Sequence, residues 1–245
     1  MSALPLFYSS IAVLERDKDA DRLVVDGHHD VSFAASAHLV PALAEELPAA
    51  CREIPSAFVN TGEQIALVFI VGTGAGRSAF VTRAGRWDAT HVPACLRRYP
   101  FILGEAGERS LVCIDGGYTS PADGSGERLF DETGANTPYL DRVIDFANRY
   151  ARGAKVSDEF GVRLRALGLL KPVTIEIRPE GGGDAVLHGL MTVDEAKLAQ
   201  LPDAEIVALH RAGHLAGIHC HLVSLGALPA VGDRVRRRRE EAAAV

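Results

Sequence analysis

The chain has 245 residues, of which 47% are apolar and 24% are charged. That balance is typical of a soluble globular protein and excludes a disordered tail protein, a collagen and a disulfide-built miniprotein. The formal charge of -6 leaves no overall basic field for nucleic acid. The longest apolar run, Ile65 to Val71, is far too short to span a bilayer. The sequence therefore predicts no nucleic-acid partner and no transmembrane segment.

The cysteines and the N-terminus bear on the compartment. Cys51, Cys95, Cys113 and Cys220 lie far apart and form no Cys-x-x-Cys pair. This spacing excludes a zinc knuckle and a thioredoxin-like site, and it favours small hydrophobic side chains in a core. The N-terminus lacks a basic region, and Pro5 interrupts its apolar stretch, so it is a poor secretory signal. We expect a cytoplasmic protein with reduced thiols.

Short strands and glycine-rich turns dominate the first half. Residues 65–71 are typical of a buried strand, and the glycines of 72–76 connect it to a second apolar run at 78–82, which predicts a β-hairpin. Pro93 and Pro100 bracket a short helix. The remaining elements predicted here are a strand at 23–25, a short helix within 41–51 and a strand at 110–115.

The second half is helix-rich, with one further hairpin. Thr137 and Pro138 open a helix as N-cap and first helical residue. The alternating segment 173–178 and the run 185–191 flank a glycine-rich turn and predict the hairpin. The predicted helices are 137–150, 158–166, one that starts at 192–195, 203–212 and 215–225.

These elements predict an α+β protein, with a mixed or antiparallel sheet built from hairpins in its first half. Residues 1–230 are expected to form a single α+β domain. Two lobes could meet near 116–136, a glycine-rich stretch without periodicity. Residues 231–245 begin with a run of arginines and continue into glutamates and alanines, which predicts a partly disordered tail.

Two motifs raise the question of a cofactor or a metal. Gly72-x-Gly74 follows a strand, but the third glycine of a dinucleotide fingerprint is replaced by Arg77, so a hairpin turn is favoured over a phosphate cradle. His28 and Asp30 have the His-x-Asp spacing of an iron facial triad. About one such pair is expected by chance in this composition, and the helical second half lacks a barrel to hold a triad. No cofactor and no metal are therefore predicted.

Histidines concentrate near the C-terminus, at His210, His214, His219 and His221. On one continuous helix the first and the last would lie roughly 16 Å apart in rise, so helix-interface histidines are favoured over a metal cluster. The sequence has no Gly-x-Ser-x-Gly elbow, Walker loop or His-Glu-x-x-His stretch, and it identifies no catalytic residue. A Cys–His nucleophile stays open, because spatial partners are invisible in a sequence.

The densest polar and aromatic patch lies at 86–99. Arginine binds carboxylates in bidentate fashion and tryptophan offers a stacking face, so this patch predicts a concave site for an anion or a peptide. A core tryptophan with solvated arginines is the alternative. A strand end could present two further polar residues beside the patch. The candidate ligand-binding residues are Arg86, Trp87, Asp88, Arg97, Arg98, Tyr99, Asp115 and Tyr118.

Several short sequence words occur in an order that is specific when they are taken together. They are Gly85–Asp88, Val92–Pro93, Arg97–Phe101, Cys113–Asp115, Gly126–Phe130, Thr137–Leu140 and His221–Leu225. In these words the chain resembles the bacterial SapC family, whose name comes from a surface-layer-associated gene. The resemblance implies gene clusters that carry TonB-dependent receptors and proteins like flavin-dependent tryptophan halogenases. It assigns no catalytic residue, and none is carried over.

We therefore expect a non-enzymatic accessory or binding protein that acts with a protein or peptide partner. The resemblance implies that this partner is encoded nearby, in an uptake or surface-related gene cluster. The arginine and tryptophan patch points to a peptide-like or acidic ligand. Two alternatives stay open: a metal-dependent oxygenase or other peptide- or sugar-modifying enzyme, and a structural surface-layer component. A homo-oligomer is compatible with the sequence.

Overall fold

Antiparallel sheets and a set of mainly C-terminal helices make up the protein, which confirms the α+β prediction. The computed structural model describes residues 4–25, 30–62, 64–74, 76–106, 109–177 and 185–243. The strands are β1 (Ile11–Val13), β2 (Leu23–Val24), β3 (Leu39–Pro41), β4 (Ser56–Asn60), β5 (Ile65–Ile70), β6 (Phe101–Ala106), β7 (Arg109–Asp115), β8 (Glu127–Arg128), β9 (Leu170–Ile177) and β10 (Ala185–Val193). The helices are α1 (Arg16–Asp19), α2 (Leu47–Ala50), α3 (Ala94–Arg98), α4 (Pro138–Ala166), α5 (Glu195–Leu198), α6 (Asp203–Arg211), α7 (His214–Ser224) and α8 (Leu228–Ala243).

The larger sheet has five strands in the order β3-β5-β4-β10-β9, and every neighbouring pair is antiparallel. The predicted hairpin between β9 and β10 is present. β5, however, pairs with β3 and β4 and not with 78–82, and an isolated bridge between Gly72 and Ser78 lies beyond the end of β5. The backbone of the turn between Gly72 and Ser78 is closely packed, since a Cβ at Gly72 would lie 2.5 Å from the carbonyl oxygen of Arg77. An apolar strand such as β5 needs a partner on each side, and β3 and β4 take both places.

A second sheet, in the order β1-β7-β6, and the small pair β2-β8 complete the β structure. β8 lies within 116–136, the stretch for which the sequence showed no periodicity. Its pairing with β2 and a bridge between Phe130 and Asn136 give that stretch a defined course. Leu129 is fully buried there and packs beneath the second sheet.

Helix α4 joins two helices that the sequence analysis had separated. Thr137 caps it as predicted, and its side-chain oxygen accepts a hydrogen bond from the backbone N–H of Leu140. The helix then continues for 29 residues without a break. Gly161, which weakens a helix in isolation, is a contact point, because a Cβ there would lie 2.3 Å from the carbonyl oxygen of Ile65 on β5.

Helix α4 also packs into the two larger of three hydrophobic clusters in the described residues. Its C-terminal half, with Phe160 and Leu164, packs into the large core of the five-stranded sheet. Its N-terminal part, with Tyr139 and Leu140, packs into a smaller core under the three-stranded sheet. The cavity described below lies against this N-terminal half.

The C-terminal segment differs from the expected partly disordered tail. Residues up to Ala243 continue as α8, with Val231 and Val235 buried against the large core. Arg234, Arg236 and Arg238 each lie within 4.0 Å of a carboxylate, so the segment combines an apolar face with ion-paired arginines.

Among the described residues, one helical stretch, His214–Ala243, is also long and apolar enough by composition to suit a membrane span. Helices in the cores of soluble proteins pass the same test. The expected absence of a transmembrane segment and the cytoplasmic location therefore stay predictions.

Candidate functional site

The structure separates the eight candidate residues into three places. Residues 86–88 pack beside α8. Residues 97–99 line a cavity between α3 and α4. Asp115 and Tyr118 contact Tyr99 and are not part of the described lining of that cavity.

Trp87 is held by internal contacts. Its ring stacks on Phe80, with centroids 5.1 Å apart and planes inclined by 19°. Its indole N–H donates to the carbonyl oxygen of His91 at 2.7 Å. The neighbouring Arg86 is exposed. Trp87 is half-buried and packs against the protein interior. This agrees with the alternative interpretation of the patch, a core tryptophan beside solvated arginines.

Asp88 anchors helix α8. Its Oδ2 accepts from Arg238 Nη2 at 2.5 Å and lies 3.7 Å from Arg237 Nη2 and 3.8 Å from Arg234 Nε. Arg234 also donates from Nε to the backbone carbonyl of Asp88 at 3.2 Å, and its guanidinium lies 4.5 Å from the Phe80 ring centroid. We call Asp88 and these three arginines the α8 anchor.

Four arginines line a cavity of about 260 Å³ between α3 and α4. Arg97 and Arg98 come from the end of α3, and Arg142 and Arg149 come from α4. We call this cavity the arginine cleft. The rest of its lining is mainly aromatic and aliphatic: Tyr99, Phe101, Tyr139, Val143, Phe146 and Ala147.

Helix periodicity explains how α4 contributes to the arginine cleft. Arg142, Phe146 and Arg149 are spaced four and three residues apart, so they share one face of the helix. Arg142 and Arg149 are exposed, whereas Phe146 is half-buried between them. The neighbouring stripe, with Ala147 and Tyr150, is buried.

Every guanidinium group of the arginine cleft lies near an aromatic ring. Arg97 and Arg149 lie 4.9 Å and 5.9 Å from the centroid of the same ring, Phe146. The other two arginines have rings of their own. Arg98 lies 4.1 Å from Tyr150 and 5.7 Å from Tyr8, and Arg142 lies 5.9 Å from Tyr139. The negative faces of the rings attract the cations, but they leave each full positive charge in place.

Carboxylates are scarce around these arginines. Arg97 lies 4.0 Å from Glu46 Oε1. In the described part of the chain, Arg98, Arg142 and Arg149 make no ion pair, and the Nε of Arg98 is buried without a hydrogen-bond partner. The arginine cleft therefore carries uncompensated positive charge.

Glu46 is largely committed to internal contacts. Its carboxylate accepts from the backbone N–H groups of Leu43 at 2.9 Å and Ala94 at 2.7 Å, and it lies 2.8 Å from His91 Nε2. Since Ala94 is the first residue of α3, these contacts fix the start of the helix that carries Arg97.

The tyrosines beside Arg98 stay neutral. Burial raises the pKa of Tyr8 to about 12 and raises the pKa of Tyr150 as well. Burial also raises the pKa of the Cys95 thiol beneath them. The two tyrosine rings therefore contact Arg98 as neutral groups behind the cleft lining, and a thiolate is disfavoured at Cys95.

Asp115 is saturated with hydrogen bonds from its own chain. It accepts from Ser9 N–H at 2.9 Å, Ser9 Oγ at 2.8 Å, Ser10 N–H and Gly117 N–H, both at 3.2 Å, and Tyr99 O–H at 3.0 Å. Burial alone would raise its pKa, but these hydrogen bonds together lower it. Asp115 thus positions Tyr99. Likewise, the Tyr118 hydroxyl accepts from the backbone of Val25 at 2.9 Å.

The C-terminal histidines do not converge. His210 and His219 are exposed, and His214 packs against Phe160 with ring centroids 5.2 Å apart. Within the described ranges, no group of three or more His, Cys, Asp or Glu side chains is placed to hold a metal ion. His28 of the proposed iron motif lies outside the described residues, and the Asp30 carboxylate accepts from the Ser32 N–H at 2.8 Å.

His221 is fully buried at an interface of α7 with β4 and β10. Its Nε2 lies 3.3 Å from Val193 N–H and 3.0 Å from Thr192 Oγ1, so its Nδ1 carries the proton toward Ser56 Oγ at 3.0 Å. Burial lowers its pKa to about 4. A Ser–His pair is thus present, but Ser56 and His221 are both 0% exposed, so neither side chain is open to solvent in this structure.

A family model named SapC matches residues 16–230. The chain belongs to the SapC family. The resemblance seen in the sequence words is therefore confirmed. No curated protein and no solved structure matches the chain. All four arginines of the arginine cleft lie inside the region shared with the SapC family, whereas those of the α8 anchor lie beyond it.

Sequence reasoning missed the α4 side of the arginine cleft. The apolar stripe of α4 predicts a helix, but by itself it does not show that the polar positions between the stripe residues line a cavity. The spacing of Arg142, Phe146 and Arg149 is a readable signal for one shared face. Glu46 carries no such signal, because only the fold brings it to α3.

Proposed function

We propose that this SapC-family protein is a binding protein whose arginine cleft takes an anionic ligand, and that it serves as an accessory to a protein partner. The observation that carries this proposal is the charge balance of the cleft. Four guanidinium groups line one cavity, and in the described chain only Arg97 comes within 4.0 Å of a carboxylate.

Repulsion between the four guanidinium groups favours the binding of an anion in the arginine cleft. Like charges around one cavity repel each other, and the aromatic faces reduce that cost without removing it. An anion in the cleft would relieve the repulsion and supply acceptors to guanidinium groups that line it, including those of the exposed Arg142 and Arg149. Arginine is the side chain best suited to this, because it offers two parallel N–H donors to one carboxylate or phosphate.

The lining supports binding rather than turnover. The described lining consists of arginine, tyrosine, phenylalanine, valine and alanine side chains. A general base or a nucleophile is normally a histidine, carboxylate, cysteine or lysine, or a serine activated by one of these. The accessory role and the partner encoded nearby are the expectations that family membership adds.

Thermal unfolding in the presence of small anions tests the proposal. Succinate and inorganic phosphate, compared with chloride at equal ionic strength, should raise the midpoint of the wild-type protein, since a ligand that binds only the folded state stabilises it. The double variant Arg98→Gln/Arg149→Gln should lose this increment. Arg83→Gln, which removes an exposed arginine away from the cleft, should retain it. An equal increment in all three proteins would contradict an arginine-cleft site.

A further inference from the structure

The size of the arginine cleft limits what it can hold. Its volume of about 260 Å³ corresponds to roughly eight or nine water molecules at about 30 Å³ each. Sites for drug-sized ligands and cofactors usually measure about 300–1,000 Å³. The cleft is therefore at the small end of ligand sites, and it is large enough for side chains that project from a larger molecule.

The cleft opens toward solvent on its α4 side. Arg142 and Arg149 are exposed, whereas Arg97, Arg98 and Tyr99 are half-buried. A ligand attached to a larger molecule can therefore approach along α4, with part of it remaining outside the cavity.

The spacing of the exposed arginines indicates more than one anionic group. Arg142 and Arg149 are seven residues apart on one helix, which corresponds to about 10 Å of rise. A ligand with two anionic groups can contact each arginine separately, whereas a single carboxylate contacts both only when the two side chains bend toward each other. The surface between them is formed by Phe146 and Val143, which is apolar.

These observations deepen the proposed function, on which they rest. We infer that the ligand is an acidic peptide segment of a protein partner, with two carboxylate side chains three residues apart and apolar residues between them. In an extended polyproline II segment, residues i and i+3 point to the same side and lie about 9 Å apart. That separation is close to the helical rise of about 10 Å between Arg142 and Arg149 on α4.

Nucleic acid fits the same surface less well. Single-stranded nucleic acids need open aromatic faces on which bases can stack. The rings of Phe146 and Tyr139 already have guanidinium groups within 6 Å. The formal charge of -6 also opposes a long polyanion.

Fluorescence anisotropy with labelled hexapeptides tests the inference. The first peptide carries a Glu-x-x-Glu unit with apolar residues at x. The second has the same composition with adjacent glutamates, and the third has one glutamate replaced by glutamine. The spaced peptide should bind about tenfold more tightly than either, because a charge-assisted contact corresponds to roughly that factor.

Variants of the full-length protein locate the effect. Arg142→Gln and Arg149→Gln should each weaken the spaced peptide about tenfold and leave the third peptide less affected. Arg83→Gln should change neither peptide. Because Arg142 and Arg149 are exposed, the unfolding midpoints of both variants should match the wild type and so exclude misfolding.

The outcomes separate this inference from the proposed function. If succinate or phosphate binds in an Arg98- and Arg149-dependent manner while the three peptides bind equally, the peptide inference is overturned and the anion site stands. If no anion or peptide depends on these arginines, both are overturned. Tighter arginine-dependent binding of a single-stranded oligonucleotide with the same number of charges would also overturn the peptide assignment.

Discussion

Beside Asp88, three guanidinium groups of α8 surround one carboxylate, with Arg238 at 2.5 Å. In the arginine cleft, four guanidinium groups share one carboxylate contact, at 4.0 Å. Every guanidinium group of the α8 anchor has a carboxylate within 4.0 Å, and Arg238 also contacts Glu241, so we regard the anchor as a structural element. The arginine cleft leaves its charge unmatched, and we assign it to a ligand. The comparison teaches that the supply of carboxylates, rather than the density of arginines, distinguishes the two roles.

Substitutions of groups whose polar partners are all internal should give the largest losses in the free energy of unfolding. His221 is such a group, because all its polar partners are internal and burial lowers its pKa to about 4. The unfolded chain protonates this histidine near pH 6.5 and the folded chain does not. Stability should therefore fall as the pH drops from about 6.5 to about 4, by up to about 3 kcal/mol.

Urea unfolding at several pH values measures this dependence. His221→Gln should be less stable at pH 7 and should lose this part of the slope, because no proton is taken up at that position on unfolding. His219→Gln, which changes an exposed neighbour on the same helix, should keep the wild-type slope. Parallel slopes in the wild type and His221→Gln would show that the buried histidine is not the source.

Removing the carboxylate of the α8 anchor should come next in size. Asp88→Asn leaves Arg234, whose side chain is only 13% exposed, without its charge partner, and leaves Arg238, at 9% exposed, with Glu241 alone. We expect a loss of about 2 kcal/mol, below the range for fully buried pairs because Asp88 is partly exposed. The fluorescence of Trp87, the only tryptophan, should become more accessible to acrylamide. Asp233→Asn, an exposed carboxylate on α8, is the matched control, and equal losses in both variants would contradict the anchor.

Asp115→Asn should separate a positioning role from a ligand-binding role. The substitution weakens several hydrogen bonds of a buried carboxylate, and we expect a loss of about 1–2 kcal/mol in urea unfolding. Succinate affinity should change little, since Asp115 faces Ser9, Ser10 and Tyr99. A large drop in affinity at unchanged stability would instead place Asp115 in the site.

Substitutions in the arginine cleft should have the smallest effects on stability. Arg142→Gln and Arg149→Gln remove exposed cations without carboxylate partners, so we expect changes within about 0.5 kcal/mol. The direction should be neutral or slightly stabilising, because repulsion falls. Chemical unfolding decides this, and a loss above 1 kcal/mol would place these arginines on the structural side of the comparison.

The sequence was most informative where local chemistry determines structure. Thr137 and Pro138 start α4, and the alternation of 173–178 predicts a hairpin strand, because caps and period-two patterns act over a few residues. It was least informative where distant partners compete. The neighbours of β5 are selected by β3 and β4 and not by the adjacent segment 78–82.

The same reason limits what could be predicted about the site. Arg97, Arg98 and Tyr99 are consecutive and line one cavity, and their role in binding a ligand stays a prediction. Asp88, which pairs with the arginines of α8, is distant from them in sequence. The α4 wall of the cleft is likewise distant from Arg97 and Arg98 in sequence. Asp88 and Arg238 are 150 positions apart, and only the fold shows that they meet.

Calorimetric titration of two double variants with succinate tests whether the arginine cleft, rather than the arginines of α8, binds an anion. Each variant removes two positive charges. Arg98→Gln/Arg149→Gln removes two unmatched guanidinium groups from the arginine cleft. Arg236→Gln/Arg237→Gln removes two guanidinium groups of α8 that have carboxylates within 4.0 Å. The account predicts that succinate binding is lost in the first variant and retained in the second. Equal binding in both, or loss only in the α8 variant, would contradict it.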